Sequence, residues 1–153
     1  MVPIVKPRGR LRTPPIGRAV VVISALMLAG CSTGGPGEAA TWTTLNGEAL
    51  TPTSTHVELG VTRLGCASGR TGTVLDPVVR FEAARVIITA SVAPLPQGVG
   101  YNCQGNDSVS VSVDLDEPVG QRSLVDGTCL GGEAANTAVC VDDAGVRWKP
   151  TRD

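Results

Sequence analysis

From Ser108 to Leu115 the chain reads SVSVSVDL, and this strict alternation leaves little freedom in how the segment can fold. Successive side chains of a strand point to opposite faces. Val109, Val111, Val113 and Leu115 therefore share one face, and Ser108, Ser110, Ser112 and Asp114 share the other. The pattern predicts a half-buried strand, one face on a core and one in water. The same period recurs upstream. Val57, Leu59 and Val61 alternate with Glu58, Gly60 and Thr62, and Val79 and Phe81 flank Arg80. Glu82-Ala83-Ala84-Arg85 reads as a turn, after which Val86, Ile88, Ala90 and Val92 follow at period two. No segment beyond residue 30 sustains helical periodicity, and no internal repeat is present. With 19 Gly and 11 Pro in 153 residues, the strands must be short and punctuated by turns. The expected fold is all-β, a small antiparallel sandwich or open barrel in a single domain.

A domain of this size with four aromatic residues (Trp42, Phe81, Tyr101 and Trp148) has little bulky apolar surface to bury, which gives its cysteines weight. Cys66, Cys103, Cys129 and Cys140 are even in number, and no C-x-x-C pair suggests a zinc ribbon or a redox site. In an exported chain they imply two disulfides, with three connectivities open. Cys129 and Cys140 flank the turn-rich GGEAANT, so a bridge between them would staple a hairpin-like loop.

Export is indicated by the first 30 residues. Lys6, Arg8, Arg10, Arg12 and Arg18 stand there without an acid and precede an apolar run from Ala19 to Ala29 broken only by Ser24. A basic stretch followed by about 7–15 apolar residues is the pattern of a secretory signal peptide, and the run is shorter than the roughly 17–25 residues of a membrane span. No Arg-Arg pair points to the twin-arginine route. The run closes with Leu28-Ala29-Gly30-Cys31, which resembles the lipobox of bacterial lipoproteins. A thiol is needed to form a thioether with a lipid donor, and small residues before it fit a peptidase groove. The resemblance implies cleavage before Cys31, a diacylglyceryl group on Cys31, and attachment to the outer face of the cell membrane. Two acyl chains give stable anchoring where one does not. The expected organisation is a signal peptide at 1–30, a lipidated flexible tether at 31–40 and one β domain at 41–153.

After such cleavage the chain keeps eight of thirteen basic residues and all fourteen acidic ones, a formal charge of −6. An acidic domain repels nucleic acid and anionic headgroups, so the membrane is expected as a partner only through the lipid. No nucleic-acid partner and no cofactor are expected; an envelope protein or a ligand is the alternative kind of partner.

Catalytic motifs are thin. His56 is the only histidine, no G-x-S-x-G elbow accompanies it, and a lone histidine at a strand start reads as a surface residue. Asp114, Asp116 and Glu117 cluster at a strand end, where calcium chemistry competes with a solvated end closed by Pro118 and an acid paired to Arg122. Trp148, between Arg147 and Lys149, reads as an aromatic closing the last strand. Asn106-Asp107-Ser108 matches a glycosylation pattern that has little meaning in a bacterial lipoprotein. The expectation is a non-catalytic protein with no metal site.

A second resemblance rests on Cys103-Gln104-Gly105-Asn106, the strand after it, and Leu115-Asp116-Glu117-Pro118-Val119-Gly120-Gln121-Arg122 followed by Asp126-Gly127. This is similar to a group of small exported actinobacterial proteins carrying L-D-E-P-L-G-x-R-x-x-x-D-G after a strand; Val119 departs from the usual Leu. The group brings no activity, and its relatives often carry one Cys before a central hairpin and one just before that strand. The matching positions are Cys66 and Cys103. Spacing and resemblance together pair Cys66 with Cys103 and Cys129 with Cys140, the first bridge expected to matter more. From the residues alone, Pro118 ends the strand, Gly120 permits a turn, Arg122 pairs with Asp116 or Glu117, and Asp126-Gly127 supplies the next turn.

Overall fold

The computed structural model describes residues 37–151. The lipobox, Cys31 and the signal-peptide expectation lie outside those residues. Within them the strands are β1 (Glu38–Thr44), β2 (His56–Arg63), β3 (Val78–Phe81), β4 (Arg85–Thr89), β5 (Ser91–Val92), β6 (Val109–Asp114), β7 (Ser123–Asp126) and β8 (Val146–Trp148). They form two four-stranded sheets, ordered β5-β1-β2-β6 and β3-β4-β7-β8. The molecule is a β-sandwich with two disulfides. All pairs are antiparallel except β4 with β7, which run parallel. A parallel pair needs a long crossover; here it passes through the first sheet, by way of β5 and β6.

The alternation read from the sequence faces the way it predicts. Val57, Leu59 and Val61 are fully buried, and Val113 and Leu115 are buried while Ser110, Ser112 and Asp114 are exposed. Val86 and Ile88 from β4 and Leu124 from β7 meet Ala40 and Trp42 from β1 in the same core. The β3–β4 turn is tight: Glu82 donates its backbone N–H to the Arg85 carbonyl at 2.9 Å, and Arg85 Nε donates to the Glu82 carboxylate at 2.6 Å. The Arg85 contact holds the Glu82 carboxyl below its ordinary range. Strand β1 starts at Glu38, three residues before the expected start of the domain at 41. Two contacts tie that stretch down, burial of Ala40 and an ion pair from Glu38 to the buried Arg63.

The bridges are Cys66–Cys103 and Cys129–Cys140. The second does not staple a hairpin. Between its cysteines lie the 3-10 turn Glu133–Asn136 and the single-turn helix α1 (Ala138–Val141). Four residues are too few for periodicity to reveal. Gly127, at the start of the 3-10 turn Gly127–Leu130, sits so close to β4 that a Cβ would lie 1.9 Å from Thr89 Oγ1. That backbone approach admits only glycine, a stronger requirement than the turn read from the sequence.

Candidate functional site

Strand register builds the most polar surface constellation. Leu115 N–H donates to Thr55 O, so the odd residues of β6 exchange backbone hydrogen bonds with β2. His56 opposite Asp114 and Glu58 opposite Ser112 are then non-hydrogen-bonded pairs, whose side chains approach most closely. His56 Nδ1 lies 2.7 Å from Asp114 Oδ1, and Nε2 lies 2.7 Å from Glu58 Oε1. Ser112 Oγ donates to the same Glu58 oxygen at 2.6 Å. Ionised carboxylates only accept, so the two contacts favour a proton on both ring nitrogens. The Asp114 hydrogen bond first, and then the Glu58 bond, raise the His56 pKa above its ordinary 6.5. Ser112 first, and then His56, lower the Glu58 carboxyl below 4.5. Both histidine nitrogens face carboxylates, so neither is turned toward Ser112, whose hydroxyl is bonded to Glu58.

His56 is thus the surface residue at a strand start that its sequence position suggests, but it has two acidic partners that the sequence reading missed. The signal was present in the polar period of His56/Glu58 and of Ser112/Asp114; what was lacking was the register that superposes them.

The acidic strand end divides into two parts. Asp114 belongs to the His56 cluster, and Glu117 accepts from Arg122 Nη1. Arg122 also donates to the Val119 and Pro118 carbonyls, and its guanidinium stacks 4.9 Å from the centre of the Phe81 ring. The left-handed Gly120 (φ 66°) lets the loop return, with its N–H on the Pro52 carbonyl. No set of three His, Cys, Asp or Glu residues poised to hold a metal occurs among the described residues.

A second cluster is buried. Asp126 is fully buried, and its Oδ2 accepts from Thr41 Oγ1 at 2.6 Å, Trp42 N–H at 3.2 Å and Arg147 Nη2 at 3.1 Å. Local geometry explains the need. In β1 the odd residues bond to β2, so Ala40 O and Trp42 N–H face the β5 side, where β5 pairs only with Glu38 and Ala39. Buried backbone groups need partners. Thr128 Oγ1 supplies one to Ala40 O and the Asp126 carboxylate supplies the other. Asp126 Oδ1 also caps the following turn through Thr128 N–H. Arg147 adds bonds to the Val139 carbonyl and to Cys129 Sγ, which locks the short helix and the second cystine onto the cluster. Trp42 Nε1 donates across the sandwich to Ile88 O at 2.8 Å. The sequence pattern reads Asp126 as a turn residue, which its cap on the turn Gly127–Leu130 bears out, but nothing in the linear sequence marks it as the anion of a buried pair.

Trp148 closes the edge strand β8 and is half-buried. With Arg147 it forms one wall of an open groove of about 660 Å³ whose other wall is Thr44–Ala49. Asn106, singled out for its sequence pattern, uses its side-chain amide to hold the Arg63 and Gly65 carbonyls.

Comparison of the chain with protein-family models, with curated proteins and with solved structures finds no match in any of the three.

Proposed function

We propose that the chain is an exported lipoprotein of the cell envelope, anchored through a diacylglyceryl group on Cys31, whose β-sandwich acts without catalysis. The observation that carries this reading is the accounting of thiols. Two disulfides consume Cys66, Cys103, Cys129 and Cys140, and the fifth cysteine is the one that ends LAGC after a basic, then apolar, leader. Disulfides persist in oxidising compartments outside the cytosol, in keeping with export. The non-catalytic reading is supported by the double engagement of His56, whose ring nitrogens both face carboxylates and neither faces the nearby serine. The test is the intact mass of the membrane-extracted protein. A chain beginning at Cys31 with a diacylglyceryl adduct is expected, and Cys31→Ser should abolish both adduct and membrane retention. A wild-type protein without lipid overturns the anchoring.

A second reading, a displayed ligand-binding module, is favoured by the groove between Thr44–Ala49 and Trp148, where an indole lies beside polar and aliphatic side chains. Titration of the exported domain with envelope glycans, read by tryptophan fluorescence, tests it. A saturable change lost in Trp148→Ala would put this reading first.

A further inference from the structure

Strand β6 ends the first sheet, pairing with β2 on one side only. Because its odd residues bond to β2, the N–H and C=O groups of Ser110, Ser112 and Asp114 point away from the sheet. Among the described residues no backbone group pairs with them. Edge strands are normally blunted by Pro, Lys, a bulge or extreme shortness. Here β6 is six residues long, VSVSVD, with neither Pro nor Lys, and its register against β2 is unbroken. The opposite edge of this sheet, β5, has two residues.

We propose that the free edge of β6 pairs antiparallel with β6 of a second copy of this chain, Ser112 facing the partner's Ser112 across a two-fold axis. The strand is complementary to itself in this register. On the outer face Ser110 meets the partner's Asp114, so each carboxylate faces a hydroxyl and never another carboxylate. On the inner face Val111 meets the partner's Val113. Val109 and Val111 are only half-buried in the single copy, whereas Val113 is buried, so the apolar row is incomplete where the sheet stops. A second strand would extend that row and pair the outward backbone groups. A two-fold contact of this kind uses the same patch on both copies and closes at a dimer, whereas a head-to-tail edge contact would propagate. Asp114 is almost fully solvent-exposed, at 93%, so nothing among the described residues shields the strand's end.

The test uses the full-length chain extracted from membranes in mild detergent. Opposed hydrogen-bonded residues of antiparallel strands lie about 5.5 Å apart at Cα, within the span of a disulfide. Ser112→Cys should therefore give a cross-linked dimer on mild oxidation. Neither the parent chain nor Thr43→Cys, on the exposed face of β1, should do so. Ser112→Pro removes an outward N–H while leaving the β2 ladder intact. It should weaken self-association about tenfold or more in analytical ultracentrifugation, with the melting transition retained. Should Ser112→Pro unfold the domain, Ser110→Asp, which changes only an exposed side chain and sets a carboxylate against the partner's Asp114, replaces it with the same expected loss. A chain that stays monomeric throughout, or a dimer that neither folded variant weakens, overturns the proposal.

Discussion

The His56 cluster and the Asp126 cluster use the same chemistry in opposite surroundings. Each sets a cation against carboxylate and hydroxyl partners drawn from different strands. His56, Glu58, Ser112 and Asp114 do so on the open face of β2 and β6, with the His56 side chain 46% exposed. Asp126, Thr41 and Arg147 do so between the sheets, with side-chain exposures of 0% for Asp126 and 11% for Arg147. In water such a pair is solvated whether or not it forms, so it adds little. In the interior each partner is indispensable to the other, because removing one strands a desolvated charge. The surface cluster decorates a ladder that backbone bonds already hold; the buried one supplies the partner of Trp42 N–H on the stretch of β1 that β5 does not reach.

The sharpest way to break this contrast is Asp126→Ala. It strands the Arg147 guanidinium and the Trp42 N–H, and we expect a loss of about 3–5 kcal/mol in urea unfolding. Arg147→Met added to it should recover part of that loss. A single-mutant loss under about 1 kcal/mol would erase the distinction between the clusters.

The cystines repeat the contrast. Cys129 and Cys140 are buried beside Arg147, whereas Cys66 and Cys103 are exposed. Loop closure alone predicts that the Cys66–Cys103 bridge, spanning 37 residues, contributes about 4 kcal/mol and the Cys129–Cys140 bridge, spanning 11, about 3 kcal/mol. Access runs the other way. Dithiothreitol acting on the folded protein should open Cys66–Cys103 well before Cys129–Cys140, read by timed alkylation and peptide mass. Simultaneous opening would show that the buried cluster does not shield its cystine.

Arg122 lies between the extremes, its side chain 19% exposed. Arg122→Ala removes two carbonyl bonds, the Glu117 pair and the stack on Phe81, and should lower stability by about 1–2 kcal/mol. Millimolar calcium should not restore the melting temperature. A calcium-dependent rise abolished by Asp116→Ala would reveal a cation site at the strand end.

The smallest effect belongs to His56. Its folded ring holds the proton more tightly than the unfolded chain does, so its contribution is complete below pH 6.5 and fades as pH rises through the raised folded-state value. Glu58, lowered in the fold, contributes above pH 4.5 and loses that contribution as pH falls through its lowered value. Because His56 is the sole histidine, its proton NMR titration is unambiguous. A midpoint above 6.5 that returns to the ordinary value in a Glu58→Gln, Asp114→Asn chain is expected; a midpoint at or below 6.5 in the wild type would remove the cluster.

How much of this was legible beforehand follows from what period two records. Alternation carries which face a side chain takes, so Val57, Leu59, Val61, Val113 and Leu115 were identified as core, and the β3–β4 turn was found at Glu82–Arg85. Alternation says nothing about neighbours. The parallel pairing of β4 with β7, the register that joins His56 to Asp114, and the burial of Asp126 all depend on which strand lies beside which. The requirement for glycine at 127 is equally non-local, being set by Thr89 on another strand.

The reach of the Asp126 cluster along the chain bears on the order in which the domain can assemble. Trp42 finds its carbonyl 46 residues downstream, Thr41 its carboxylate 85 residues downstream, and Thr41 its guanidinium 106 residues downstream. Contacts this distant in sequence are slow to nucleate, because loop entropy is lost before they repay it. A chain emerging from its N-terminal end therefore has β1 and β2 before the partners of the other edge of β1, with the Trp42 indole unpaired until Ile88 follows and its N–H until Asp126 does. Such a nascent species is aggregation-prone. Arg147 supplies the last of these contacts in chain order, to Thr41 and Asp126.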